Sequence, residues 1–435
     1  MYPILAGLMV AIYAIISVFR PEAAVVLLLI ISALKYSAFA SVSFLQVVDL
    51  SFVIGGLCLV VVGGRVVTGT VPSSWIPKGG IICVVLMVVW LYLRQLGFPL
   101  DPAYAKDMYI GFILCAAAYT SPIILLKDPK ASSRVLKLLI PPALLLAFAL
   151  LLLGTYEVVP GVQQWGRLGM FATSGMYIAN LIGAALLGMF GLIIIHRKAR
   201  YWLLVLAFFP LAFAAIAATG TRGTFVWGLI FPLLYVPVVL GGKQALKFVI
   251  PVAVMGVAVY LVLPLIPQIG LDRLMTVTDS SSLDDRVTIW IQAAKDFFSH
   301  PLLGVGAGSF KVAAMPDIQY AHNLFLEAAS TTGLLGLFFV AAPVVNGFFL
   351  SIRELFHRDT DPIQKRHVQA WLLLTIGLLA DGMKSGGIGG LRPLFFVLGM
   401  LTVVSLQSRA QRMAASDVYW NQVEASRQLQ PTGSV

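Results

Sequence analysis

Apolar residues fall in long unbroken blocks separated by short polar joints, with runs at about 3–19, 23–40, 46–63, 79–97, 108–126, 136–154, 174–195, 201–218, 224–241, 245–266, 323–350, 369–384 and 391–407. A helix needs about 20 mostly apolar residues to cross a bilayer, so the pattern predicts an all-α polytopic membrane protein with twelve or thirteen spans. Thirteen spans put the two termini on opposite sides, and twelve put both in the cytoplasm. Prolines inside the runs, such as Pro122 and Pro237, are compatible with spanning helices because neighbouring groups satisfy the freed carbonyls. The expected organisation is about ten spans over 1–266, one large polar loop over 267–322, the last spans over 323–407 and a polar tail over 408–435.

Composition sharpens this reading. Apolar residues make up 59% of the 435 positions and charged residues 11%, with a mean hydropathy of +0.93. Soluble domains carry about twice that charge. The net charge of +11 does not point to nucleic acid, because the Lys and Arg are scattered through short loops. Arg20, Lys130, Arg134, Arg197, Lys198, Arg200, Lys243, Arg358, Lys365 and Arg366 alternate onto one side, which the positive-inside rule makes cytoplasmic. Cys58, Cys83 and Cys115 lie in apolar runs without metal-ligand spacing, and no metal or cofactor is expected.

The basic residues on the other side run against that orientation bias, and they are the candidates for chemistry. Arg222 sits in ATGTRGTF, a tight joint between two spans, where a guanidinium grips a phosphate with two parallel bonds or snorkels to the interface. Arg167 lies between Gly166 and Gly169, which allow a backbone to come close to a ligand or simply make a turn; Asn180 follows in the next span. Arg286 follows Asp284 and Asp285, which are placed to cap an amphipathic helix carrying Val287, Trp290, Ile291, Ala294 and Phe297. Such a helix would lie on the outer leaflet, with Arg286 near lipid-borne anions or paired with Asp285. Gly304, Gly306 and Gly308 lack the GK[ST] of a nucleotide loop and read as a turn back to the bundle. His322 and Asn323 stand where the loop re-enters the membrane, one turn before Glu327. An imidazole there is a general base for a hydroxyl or a hydrogen-bonded core residue. Asp381, Lys384 and Arg392 flank a glycine-rich turn, as an ion pair or an anion contact.

Taken in order, GRLGMFATSGMYIAN, TGTRGTF, SSSLDDRVTIWIQAAKDFFSHPLLGVGAGSF and HNLFLEAASTTGLLGL resemble the O-antigen ligase and polymerase superfamily of bacterial polysaccharide-assembly membrane proteins. The resemblance runs from about Gly166 to Leu337. It implies a GT-C-like fold with one large periplasmic loop in the cell inner membrane, and an active site facing the periplasm. The activity it implies moves a glycan from undecaprenyl diphosphate to an acceptor hydroxyl of a glycan, lipid A–core or a protein, without nucleotide sugar or metal. It also implies Arg167, Arg222 and Arg286 as the diphosphate grip and His322 as the base, with Asn180 in support; Asn323, Lys384 and Arg392 are further supporting candidates by their places in the chain. In relatives an Asn-Pro-Asn-like run stands where this chain reads ATSGMYIAN, which leaves Asn180 as the match. A transporter or flippase for lipid-linked oligosaccharides is the alternative, since it too lines a cavity with basic residues.

Overall fold

A computed structural model of the chain describes residues 2–39, 78–97, 99–126, 128, 130–157, 167–169, 175–275, 280–315, 318–385 and 387–428. In order, the helices are α1 (Tyr2–Phe19), α2 (Pro21–Phe39), α3 (Lys78–Gln95), α4 (Pro102–Leu125), α5 (Ala131–Leu138), α6 (Ile140–Leu153), α7 (Gly175–His196), α8 (Ala199–Thr219), α9 (Arg222–Thr224), α10 (Phe231–Leu240), α11 (Gly242–Leu246), α12 (Val249–Val262), α13 (Gln268–Met275), α14 (Ser280–Ser299), α15 (Leu324–Phe356), α16 (Pro362–Ser385) and α17 (Arg392–Gln428). A π-helical turn, Phe225–Ile230, joins α9 to α10. Every expected apolar run falls on these helices except that at 46–63, which lies outside the described residues. Eight helical segments among the described residues are long and apolar enough to cross a membrane, fewer than the twelve or thirteen apolar runs. The helical class therefore holds, with one small addition: β1 (Thr155–Glu157) pairs antiparallel with β2 (Arg167–Gly169).

The core is built around α7. Of its most apolar stretch 94% is buried, against 11% for the segment Gly242–Leu265 at the periphery, whose exposed Val, Leu and Ile faces suit lipid. Small residues let neighbours close on α7. A side chain at Gly183 would meet Thr224 at 2.7 Å and Trp227 at 2.9 Å, and one at Gly191 would meet Ala370 at 3.3 Å. Close backbone approach through small residues is how membrane helices gain packing without a hydrophobic drive between them.

The bundle has two chemically different ends. At one, Arg134 bridges Glu22 at 2.6 Å and Asp128 at 2.7 Å, and Arg197 feels the charge of Arg366. At the same end Glu354, 2% exposed, takes both nitrogens of Arg412 at 3.0 and 3.2 Å and the hydroxyl of Ser408 at 2.9 Å. The polar stretch after 407, expected as a tail, thus begins inside a continuous and partly buried α17. At the other end lie the long loop and the starts of α4, α7, α9, α15 and α17. Asp101 caps α4 by accepting from Tyr104 N–H at 2.9 Å, and Pro102 at the first position fits the fixed φ of proline.

Two expectations are corrected. The re-entry run 323–350 is not one straight span, because Gly333 adopts φ 70°, ψ −166° and breaks α15. Three carbonyls before the break find donors outside the helix: Val305 N–H donates to Ser330, Gly306 N–H to Thr331 at 3.0 Å, and Trp90 Nε1 to Thr332 at 3.1 Å. The glycine turn is therefore the cap of a broken helix. Positive φ at Gly304 and Gly306 brings its amides into register, a conformation glycine adopts without a Cβ penalty.

The second correction concerns α14. It begins at Ser280, so Asp284 and Asp285 stand inside its second turn and are not its cap. Ile289 and Ala293 form its buried face and pack with Phe310, Val312 and Ala321 into a small second core. Val287 and Ile291, expected on one apolar stripe with Trp290, stay about half exposed. The helix leans against α15 because Ile289 and Ala293, four residues apart, supply the apolar contact.

Candidate functional site

The site is assembled around the C-terminal turn of α16. A helix end leaves its last carbonyls without intrahelical partners, and here two distant segments supply donors. Asn323 Nδ2 donates to the Met383 carbonyl at 2.9 Å, and Arg286 Nη1 donates to the Lys384 carbonyl at 2.6 Å. Asn323 also caps α15, its Oδ1 accepting from the amides of Phe325 and Leu326 at 3.1 Å each. The preceding residue, His322, is half-buried with φ 52°. Its ring lies 4.2 Å from that of Tyr320, tilted 50°.

Asp381, one turn back on α16, organises the other side. It is 7% exposed and accepts from Asn180 Nδ2 at 3.0 Å and Trp227 Nε1 at 3.1 Å. Lys384 Nζ stands 3.6 Å from its Oδ1. Asn180 in turn accepts from the hydroxyl of Thr224. Lys384 then reaches over the Cα of Gly223, where a side chain would take the space of its ammonium. Arg222, half-buried at the start of α9, is the residue next to that contact. Three cationic side chains, Arg222, Arg286 and Lys384, thus come from three separate elements to one end of the bundle, with the carboxylate of Asp381 beside Lys384. Arg286 and Lys384 are close enough to repel. Such an arrangement is relieved by an anion, and guanidinium groups suit the oxygens of a phosphate.

Of the expected residues, His322, Asn323, Arg286, Lys384, Asn180 and Arg222 are drawn together in this way. Arg392, buried at the start of α17, donates from Nη1 to the Leu28 carbonyl at 3.4 Å and lines the same cavity as Asn180 and Asp381. For Arg167 the structure gives the backbone, which pairs with Glu157 in the β1–β2 ladder.

A cavity of about 390 Å³ opens beside this cluster between α4, α7, α16 and α17. Asn180, Asp381 and Arg392 line it, together with Tyr104, Tyr320 and a wall of leucines. Sequence reasoning missed the centrality of Asp381 and Trp227, and it missed Glu327 and Tyr104. Glu327 is fully buried and accepts from the Tyr104 hydroxyl at 3.2 Å and the Ile388 amide at 3.1 Å. It thereby ties α15 to α4 and to the turn before α17. The signal that could have found it was a carboxylate in an otherwise apolar run, which is costly without partners.

Residues 206–341 match a family model described as O-Antigen ligase. That segment contains Arg222, Arg286, His322 and Asn323. The exopolysaccharide production protein ExoQ of Rhizobium meliloti (strain 1021) is 25% identical over 289 residues, covering 61% of this chain and 62% of the relative. The alignment therefore spans less than two thirds of that relative's length.

Proposed function

We propose that this chain, a membrane protein of the O-antigen ligase and polymerase superfamily, moves a glycan from undecaprenyl diphosphate to an acceptor hydroxyl at the loop end of its bundle. That end would face the periplasm of a cell whose inner membrane holds the protein, because the basic joints of the opposite end belong in the cytoplasm. The observation that carries the reading is the convergence on the end of α16. Arg286 and Asn323 hold its last carbonyls, Lys384 lies over Gly223 beside Arg222, and His322 adjoins Asn323.

In this reading Arg222, Arg286 and Lys384 counter the charge of the lipid diphosphate, with Arg167 as a further contact. Fixed cations aimed at the charge that develops on a leaving group stabilise a transition state strongly, because they need no reorganisation as the bond breaks. The acceptor oxygen attacks the anomeric carbon as the bond from that carbon to the diphosphate oxygen breaks. His322 takes the hydroxyl proton, and undecaprenyl diphosphate leaves with the bonding electrons. Attack opposite the leaving group inverts the anomeric configuration. Asp381 positions Lys384 and Asn180, and Asn323 sets the backbone that presents His322. The acceptor is a glycan, lipid A–core or a protein hydroxyl.

The test is transfer in detergent from a purified undecaprenyl-diphosphate glycan to each acceptor class, comparing wild type with His322→Ala and Arg222→Ala. Wild-type transfer that falls about 10²-fold or more in the His322 variant, the size expected for loss of a general base, supports the reading. Donor binding without transfer to any acceptor, coupled with lipid movement across vesicles, would replace it with the flippase reading.

A further inference from the structure

At the end of the bundle opposite the candidate site, two groups of basic side chains carry their own carboxylates. Arg134 has Glu22 and Asp128, and Arg412 has Glu354. A third group, where α5 and α7 end and α8 and α16 begin, does not. There His196 lies in the field of Lys137, Arg200 and Lys198, and Arg197 in that of Arg366. Among the described residues none of these five cations forms an ion pair. Asp361, whose field reaches His367, accepts instead from the Ile363 amide at 3.1 Å, at the start of α16.

The fold builds this cluster from the backbone outward. The chain passes from α7 to α8 across two residues, Arg197 and Lys198, and the turn sets φ at Arg197 to 51°. A left-handed residue just past a helix end is the usual place of glycine, yet here an exposed arginine holds it. Tyr201, 6% exposed, gathers two neighbours. Its ring stacks on that of His196 at 4.9 Å, with 15° between planes. The Arg200 guanidinium stands 4.9 Å from the same ring and donates from Nη2 to its hydroxyl at 3.0 Å, a favourable place for a cation. The Nε2 atom of His196 is enclosed and has no hydrogen-bond partner, so acceptors are lacking here as well as carboxylates. Ser132 and His367 Nδ1, 2.5 Å apart, tie α5 to α16 and so fix the helices that carry Lys137 and Arg366.

Like charges brought together without counter-ions repel, and a phosphate relieves them, with guanidinium forks and ammonium groups as its partners. The surroundings select the kind of phosphate. α6 and α8 pack together and both begin at the cluster. Deeper along them Leu144, Phe148 and Leu203 are exposed, an apolar slope directly inward of exposed Lys137, Lys198 and Arg200. An anionic head over acyl chains matches both surfaces at once, whereas a soluble phosphate uses only the first.

We propose that Lys137, Lys198 and Arg200, with Arg197 and Arg366 beside them, form a binding site for the headgroup of an anionic phospholipid. Basic clusters between spanning helices hold such headgroups at the membrane surface. The lipid supplies the counter-charge that the protein omits, and its chains cover the slope on α6 and α8.

The full-length chain, purified in detergent, is titrated with phosphatidylglycerol, with phosphatidylcholine of the same acyl chains, and with glycerol phosphate, which has the anion without the tails. Retained lipid is counted by native mass spectrometry beside the thermal shift. Lys137→Gln/Lys198→Gln is compared with wild type and with Lys243→Gln/Lys247→Gln, which removes equal charge from α11 and the residue after it. All four lysines are exposed, so these replacements leave the core untouched. Each protein is read with and without Arg222→Ala, which separates lipid held by the cations of the candidate site. Expected is tighter binding of phosphatidylglycerol than of phosphatidylcholine. That binding weakens about ten-fold or more in Lys137→Gln/Lys198→Gln, as two lost cations at a membrane surface require, and is unchanged in Lys243→Gln/Lys247→Gln. Equal binding of the two lipids overturns the proposal. Equal loss in the two double variants overturns it too, since only the general charge of that end would remain. Glycerol phosphate binding as tightly as phosphatidylglycerol also overturns it, and gives the cluster to a soluble phosphate. None of these outcomes bears on the transferase reading.

Discussion

Asn323 donates its side-chain amide to the carbonyl of Met383 at 2.9 Å, across 60 residues of sequence. The same side chain accepts two amides as the cap of α15, so one residue fixes the start of one helix to the end of another and presents His322 between them. Asn323→Ala loses both roles, and loss of a cap costs about 0.5–2 kcal/mol. Asn323→Asp keeps the cap acceptor and loses the donor. Expected is a lowered melting temperature for the alanine variant only, with transfer reduced in both, measured by thermal unfolding in detergent beside the transfer assay. Wild-type transfer by the aspartate variant would remove the Met383 tie from the site.

Lys384 owes its place over Gly223 to the missing Cβ. In Gly223→Ala the ammonium has to swing aside, which a flexible side chain does at little cost, so stability changes by less than about 1 kcal/mol. The KM for lipid-linked donor rises about ten-fold, in keeping with about 1.5–3 kcal/mol for a hydrogen bond to a charged group. Steady-state kinetics with varied donor check this.

The break in α15 predicts a contrast between glycines. Gly333→Ala forces a side chain into φ 70° and against the Leu302 carbonyl, and the backbone strain alone costs about 1–3 kcal/mol. Gly256, in α12, has nothing within 4 Å of an added Cβ, and its alanine variant gains about 0.5–1 kcal/mol of helix preference. Thermal unfolding should move the two in opposite directions.

At the basic end, Arg412→Ala leaves Glu354 buried without its cation, a change that costs about 3–5 kcal/mol. The double variant Glu354→Gln/Arg412→Met removes both charges and should recover much of that loss. Denaturation of the three proteins side by side tests it; equal loss in the single and double variants would mean that the ion pair is not what the cluster contributes.

Most of the candidate site was legible because polar residues in an apolar chain are few. His322, Asn323, Arg286 and Lys384 each stood out as a polar residue at or near the ends of apolar runs. Asp381 was read only as the neighbour of Lys384, although it holds Asn180 and Trp227 as well. Those partners lie 201 and 154 residues away, and no local spacing records such a distance. The start of α14 was misplaced for the opposite reason. Asp284 and Asp285 are good local cap residues, yet the helix extends back to Ser280.

The sequence by itself determined the helical membrane class and the positions of the apolar segments, because a bilayer demands about 20 apolar residues per span and leaves the backbone no other way to satisfy its amides there. It also determined which few residues were too polar to be filler. Only the tertiary structure decided that α15 breaks at Gly333, that the glycine turn caps the break, and that five separate segments meet at the end of α16. Those outcomes depend on which freed carbonyl finds which donor across the fold, and on where a missing Cβ lets two backbones touch. Both are settled by packing among distant segments.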